Sequence, residues 1–253
     1  MERYQVILAY DGTRYKGFQR QSGAEDKQTI QGVVETTLRR LGWQGDRILA
    51  SGRTDSGVHA AGQVIAFDLE WKRSPEELQA ALNALFPKDI AALTLKLAPS
   101  SFHPRYDANS RTYRYRLYCH PIRHPLIERY AWRVWPELDD ELLLASATLL
   151  VGKHDFSGFG TNSKSGSSAI REVLAAKWVL KSLDYEMDGW EFIVTANGFL
   201  YRMVRRLVNF QVLIAQGQRS LTDLQMLIDN PPNHPVPGLA PAQGLILQEV
   251  CYS

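Results

Sequence analysis

Two cysteines, Cys119 and Cys251, are all that the 253 residues hold, and neither stands in a CxxC pair. That is too few for a disulfide framework and excludes a zinc ribbon; two packing thiols in a reducing compartment fit the count. Long apolar runs are missing as well, since none approaches the roughly 20 residues that a membrane-spanning helix needs. The opening MERYQVILAY lacks the basic-then-apolar layout of a signal peptide and enters a strand-like alternation at once. A cytoplasmic protein without a membrane partner is expected. No glycine cluster has Walker A spacing, and no strand leads into a GxGxxG turn, which argues against a nucleotide cofactor site. No GxSxG elbow or Cys/His pairing supports a hydrolase. His120 and His124 are spaced i, i+4, but Pro121 breaks the helix that would bring them together, so no metal site is expected.

Excess charge is also absent: 29 Lys+Arg against 27 Asp+Glu leave a net charge of +2, which announces no polyanionic partner. The distribution says more. Between Ser101 and Arg133 stand seven arginines and no lysine, with only Asp107 and Glu128 as acids, a local excess of +5. Tyr106, Tyr113, Tyr115, Tyr118, Tyr130 and Trp132 are interleaved with them. Such a segment supplies cations for phosphates and flat faces for unpaired bases, although a solvated strand face over aromatic packing would read the same way.

Hydrophobic periodicity predicts strand 3–10, helix 29–41, strands 47–51 and 61–69, helix 75–86 and strand 90–97. Ser74 as N-cap, Pro75 at the first helical position and Glu77 completing a capping box start the second helix, with Leu78, Leu82 and Leu85 on one face. The rest predicts strand 109–118, helix 140–151, strands 171–181 and 189–196, helices 199–215 and 221–229, and strand 244–251. Both halves run β-α-β-β-α-β. The expectation is an α/β (α+β) protein of two ferredoxin-like lobes, 1–107 and 108–253, with antiparallel or mixed sheets joined around a central basic cleft. Two segments read as loops: Gly158–Ser168, where Lys164 is available to a phosphate, and Asn230–Pro241, with five prolines.

The run Gly52-Arg53-Thr54-Asp55-Ser56-Gly57-Val58-His59-Ala60 lies between two predicted strands. Glycines 52 and 57 allow a tight loop that holds a carboxylate between an arginine and backbone amides, while Asp-Ser-Gly is also ordinary turn chemistry. His59 either touches a phosphate or rigidifies the turn by a hydrogen bond. On helix 199–215 the apolar set Phe199, Met203, Leu207, Phe210 and Ile214 marks a core stripe that leaves Arg202, Arg205 and Arg206 off it.

GRTDSGVHA resembles the catalytic motif of the TruA-type tRNA pseudouridine synthases, commonly GRTDAGVHA. In the family's order follow YDGTRYKGFQRQ (10–21), TIQGVVE (29–35), SFHPRYDANSRTYRYRLY (101–118), HDFSGF (154–159), GFLYRMVRR (198–206) and APAQGLILQEVCY (240–252), covering essentially the whole chain. Ser56 stands where Ala is usual, Phe18 where Trp is usual, and Asn209 where a Gly is common. Asn209 is expected to disturb local helix packing, because its side chain blocks the close approach a Gly permits. The resemblance implies isomerisation of uridines 38, 39 and 40 in the anticodon stem-loop of tRNA by a homodimer. It implies Asp55 as nucleophile or base, Arg205 paired with it, Tyr113 against the target base, and Arg53 on the displaced base or backbone. His59, Arg111, Arg114, Arg202 and Lys164 complete the expected RNA contacts. The reaction breaks C1′–N1 and joins C1′ to C5 with no net redox change and no water consumed, so no cofactor is called for. A carboxylate attacking C1′ or C6, or taking the 2′ proton, would each serve.

Two other classes compete. A noncatalytic tRNA-binding or tRNA-folding chaperone on the same fold would keep the basic surface without turnover, which the joint presence of Asp55, Tyr113 and Arg205 argues against. A small-molecule enzyme on a ferredoxin-like scaffold is disfavoured by the Arg/Tyr-rich segment.

Overall fold

The computed structural model describes residues 1–20, 28–162, 168–183, 185 and 187–252. They form an α+β protein with a mixed-orientation set of strands and five α-helices among the described residues. Two compact units divide it: residues 1–109 with 246–253, and residues 110–245.

The first unit opens with β1 (Glu2–Tyr10), in which Tyr4, Val6, Leu8 and Tyr10 are buried and the intervening residues are not, the alternation a strand with one core face must show. It continues through α1 (Ile30–Arg40), β2 (Leu49–Ala50), β3 (His59–Leu69), α2 (Pro75–Leu85) and β4 (Ile90–Ala98). β1 lies between β3 and β4, antiparallel to both, with Val6 opposite Ile65 and Leu95. β2 pairs with the far edge of β3. This 4-1-3-2 strand order is that of a ferredoxin-like unit. The capping box read from sequence forms as expected: Glu77 N–H donates to Ser74 Oγ at 3.2 Å and Ser74 N–H to the Glu77 carboxylate at 3.1 Å.

The second unit holds β5 (Ala108–Cys119), β6 (Trp132–Val134), α3 (Asp140–Thr148), β7 (Gly152–Asp155), β8 (Ile170–Ser182), β9 (Asp188–Ala196), α4 (Met203–Ala215) and α5 (Leu221–Asp229). Its strands run β5-β9-β8-β7, and β6 lies parallel to β5. A buried amide ties its layers: Gln211 on α4 accepts from Trp178 Nε1 at 2.9 Å and from Ser146 Oγ at 3.1 Å. The closing strand, β10 (Leu245–Tyr252), runs parallel to β3, Ile246 opposite His59.

Three expectations change. Helix 140–151 stops at Thr148, and residues 152–155 form β7 against β8. Helix 199–215 begins only at Met203, because Arg202 takes a left-handed conformation (φ 63°) and the Tyr201 backbone is bonded to Thr161 instead of entering the helix. Asn209 does not disrupt α4. Its amide lies against Gly238, where a Cβ would come within 2.3 Å of Asn209 Nδ2. The missing side chain is on the loop opposite, so the close approach survives with the small residue moved to the partner position. No helix among the described residues is long and apolar enough to cross a membrane.

Candidate active site

The loop around Asp55 is fixed on both sides by hydrogen bonds within the first unit. On the N-terminal side Gln63 joins Ser51 and Gly52, accepting from Ser51 Oγ at 2.6 Å and donating to the Gly52 carbonyl at 3.1 Å. Thr54 presents its carbonyl to Phe18 N–H at 3.0 Å. Val58 N–H donates to the Asp55 carbonyl at 3.1 Å, closing a tight turn through Ser56 and Gly57, and Gly57 has the positive φ (78°) such a turn demands. Gly52 has no such role, since its φ is not positive and a Cβ there would meet nothing within 4 Å.

Residues 11–18 form a strap over this loop. Ser56 Oγ and Gly57 N–H both donate to the Tyr15 carbonyl, at 3.1 and 3.3 Å. Gly17 (φ 94°) brings its backbone against Thr54, Asp55 and Ser56: an added Cβ would lie 2.9 Å from the Thr54 oxygen. Strap and α1 are themselves joined, as Ile30 and Gln31 N–H donate to Gly17 and Phe18 carbonyls. Below them Glu35, fully buried, takes Arg20 at 2.9 Å, Gln31 at 2.7 Å and Ile48 N–H at 3.2 Å. Residues 10–20 and 29–35, from the stretches singled out in the sequence, are thus the scaffold of the Asp55 loop.

Asp55 is half-buried and Arg53 exposed. Partial burial, then the like charges of Arg47 and Arg105, pull the Arg53 guanidinium below the ordinary arginine value. A group of cations gathered beside the loop at this cost suits an anionic ligand. His59 is placed inside the protein at 3% exposure, its Nδ1 accepting from Gly12 N–H at 3.1 Å with Asp11 Oδ1 at the same distance. Of the two roles weighed for it, this geometry serves rigidity.

The second unit holds Tyr113 and Arg205. Tyr113 is half-buried on β5, opposite Val194, and meets Phe199 edge-on at 5.0 Å between ring centroids. Phe199, assigned from sequence to a helical core stripe, is instead a ring neighbour of Tyr113. Arg205 is held at two points on residue 240: its Nε donates to the Ala240 carbonyl at 2.8 Å, and its own carbonyl accepts from Ala240 N–H at 3.1 Å. The next carbonyl, Pro241, accepts from Tyr115 OH at 2.9 Å. Burial pushes the Tyr115 phenol well above its ordinary pKa, opposed by the charge of Arg205. Ala240, Pro241 and Tyr115 are therefore neighbours that residue type alone did not reveal; the matched APAQG stretch was the available signal.

The other expected RNA contacts differ in character. Arg202 is exposed, its guanidinium 4.8 Å from the centroid of the Tyr201 ring. Arg111 donates to the Asn197 carbonyl at 3.0 Å. Arg114 is turned toward Glu191 at 3.6 Å, the carboxylate that Arg116 already holds at 2.7 Å, and burial lowers its pKa, with a further push from Arg116. Lys164 lies outside the described residues.

The first unit is thus ferredoxin-like and carries Asp55 on a hydrogen-bonded loop beside Arg53, while the second, an α+β unit, carries Tyr113 and Arg205. The family model for tRNA pseudouridine synthase matches residues 6–107 and 146–253. Among curated relatives, tRNA pseudouridine synthase A of Streptococcus equi subsp. equi (strain 4047) is 38% identical over 253 residues, covering 100% of this chain and 99% of its own. The protein of the same name from Brevibacillus brevis (strain 47 / JCM 6285 / NBRC 100599) is 36% identical over 254 residues, with 100% of both chains covered. The chain belongs to the tRNA pseudouridine synthase family, and is an enzyme of the isomerase class.

Proposed function

We propose that this protein converts uridines 38, 39 and 40 of the tRNA anticodon stem-loop to pseudouridine, with Asp55 as the catalytic carboxylate, acting as a homodimer in the cytoplasm. The observation that carries this reading is the rigidity of the Asp55 loop, in which residues on both sides of the carboxylate are hydrogen-bonded to β3, the strap or each other. A preorganised nucleophile or base costs no reorganisation at the moment of reaction. The C1′–N1 bond breaks, C1′ joins C5, the C5 proton leaves and N1 regains one, so atoms and electrons balance without an added reactant. Arg205 orients Asp55 and balances its charge, Tyr113 stacks on the target base, and Arg53 contacts the displaced base or backbone. Unstacking the target costs a few kcal/mol, which an aromatic face and a guanidinium offset.

Chemical mapping of pseudouridine in unmodified tRNA transcripts incubated with the protein tests the assignment. Marks confined to the anticodon arm are expected; marks elsewhere in the tRNA overturn the positions, and tight binding without any mark points to a chaperone. The arginines divide by role. Arg205→Ala is expected to lower turnover about 100-fold with little change in affinity, as loss of a positioning group does. Arg202→Ala should weaken binding and reduce the salt slope by about one. Equal loss of affinity in both would sink that division.

A further inference from the structure

Thr54, the residue before Asp55, is 7% exposed, and its Oγ1 lies 2.8 Å from the hydroxyl of Tyr10, itself 4% exposed. Tyr10 ends β1 and is fixed there by pairing with Ala60 of β3 and Ile90 of β4. The Thr54 carbonyl is held separately by Phe18 N–H at 3.0 Å. One residue is thus gripped by its side chain from the strand and by its main chain from the strap. Threonine is β-branched, with little freedom at χ1, so a fixed hydroxyl also fixes its backbone. The peptide that leaves Thr54 sets the direction of the Asp55 Cα–Cβ bond. Neither hydroxyl is needed to fill space, because a Phe/Val pair has nearly the same volume, and removing one hydroxyl leaves the other buried without that partner.

We propose that the Tyr10–Thr54 hydrogen bond positions the Asp55 carboxylate, both residues acting through Asp55 and not on the RNA. The inference rests on the reading of Asp55 as the catalytic group. The Gly12–His59 bond anchors the other end of the same loop, so the carboxylate is suspended between two ties to one segment, residues 10–12.

Single-turnover rates, tRNA affinity and melting temperature are to be measured for Tyr10→Phe, Thr54→Val, Thr54→Ser, the Tyr10→Phe/Thr54→Val pair and Asp55→Ala. A displacement of about 1 Å at a reacting group costs about 100-fold, and loss of one tether should allow a fraction of that, about tenfold in rate. Affinity should stay within about twofold, Thr54→Ser should recover most of the rate, and the pair should be no slower than the slower single variant because the two share one interaction. Wild-type rates in both Tyr10→Phe and Thr54→Val overturn the inference, as do losses that merely follow melting temperature or affinity. Asp55→Ala separates the two levels. If it keeps its rate, the catalytic reading itself falls; if it is inactive while Tyr10→Phe and Thr54→Val run at full rate, the positioning inference alone falls.

Discussion

Replacing Asp55 by Asn is expected to lower the pseudouridylation rate on the order of 10⁴-fold while leaving tRNA affinity within a few-fold of wild type. The substitution keeps the shape of the side chain and removes its charge and nucleophilicity. The bonds described for the loop are made by atoms other than that carboxylate. Thr54 is held through its carbonyl by Phe18, Ser56 and Gly57 by the Tyr15 carbonyl, and Val58 by the Asp55 carbonyl, all through main chain or neighbouring groups. The loop should therefore keep its course with the reacting group gone. A loss of that size corresponds to about 5.5 kcal/mol of transition-state stabilisation, the range found when a covalent or acid-base participant is deleted. RNA binding draws on phosphates and stacking, which this carboxylate opposes more than it assists. Single-turnover assays beside binding titrations decide the matter. A rate within tenfold of wild type would remove Asp55 from the chemistry, and a parallel collapse in affinity would make it a binding residue.

The candidate residues stand out in the sequence more plainly than the surroundings the fold gives them. GRTDSGVHA drew attention to Asp55 because a carboxylate, an arginine and two glycines share nine positions between two strands, and the order of elements in the first unit followed from periodicity and one capping box. Local signals fail where a distant segment decides. Phe199 to Arg202 carry a helix-compatible pattern, yet a backbone pairing with Thr161, about 40 positions earlier, takes Tyr201 out of the helix and leaves Arg202 left-handed. Residues 152–155 are too short and too polar to announce β7, which exists because β8 offers an edge. Asn209 looked disruptive because its compensation, Gly238, lies on a loop 29 residues later. His59 could not be placed from its type, since a buried acceptor for one backbone amide and a surface phosphate ligand look alike in sequence. What the one-dimensional reading lacked most was the strap: the glycines at 12 and 17 gave no hint that their partner was the Asp55 loop.

Gly12→Ala is the substitution for which that strap predicts the largest structural effect. An added Cβ at residue 12 would lie 2.0 Å from the Val58 carbonyl oxygen and 2.7 Å from its carbon, and both are main-chain atoms that no rotamer change can move aside. Relief requires the strap and the loop to part by more than an ångström. Moving Val58 strains the bond from its N–H to the Asp55 carbonyl, and moving Gly12 strains the bond from its N–H to His59 Nδ1. Overpacking of this kind costs about 1–3 kcal/mol or more, and the upper end applies where both clashing atoms belong to the backbone. At about 2–4 °C per kcal/mol for a chain of this size, the melting temperature should fall by roughly 6–12 °C. Because the displaced segment carries Asp55, the rate at temperatures where the variant remains folded should fall by about 100-fold. Gly52→Ala supplies the contrast. It lies in the same loop, but a Cβ there meets nothing within 4 Å, so its melting temperature should stay close to wild type. Thermal melts of the two variants with single-turnover assays well below the transition provide the check. A Gly12→Ala protein as stable as Gly52→Ala would mean that strap and loop are not in the contact described. A destabilised variant with an undiminished rate would mean that this contact supports the fold without setting the position of Asp55.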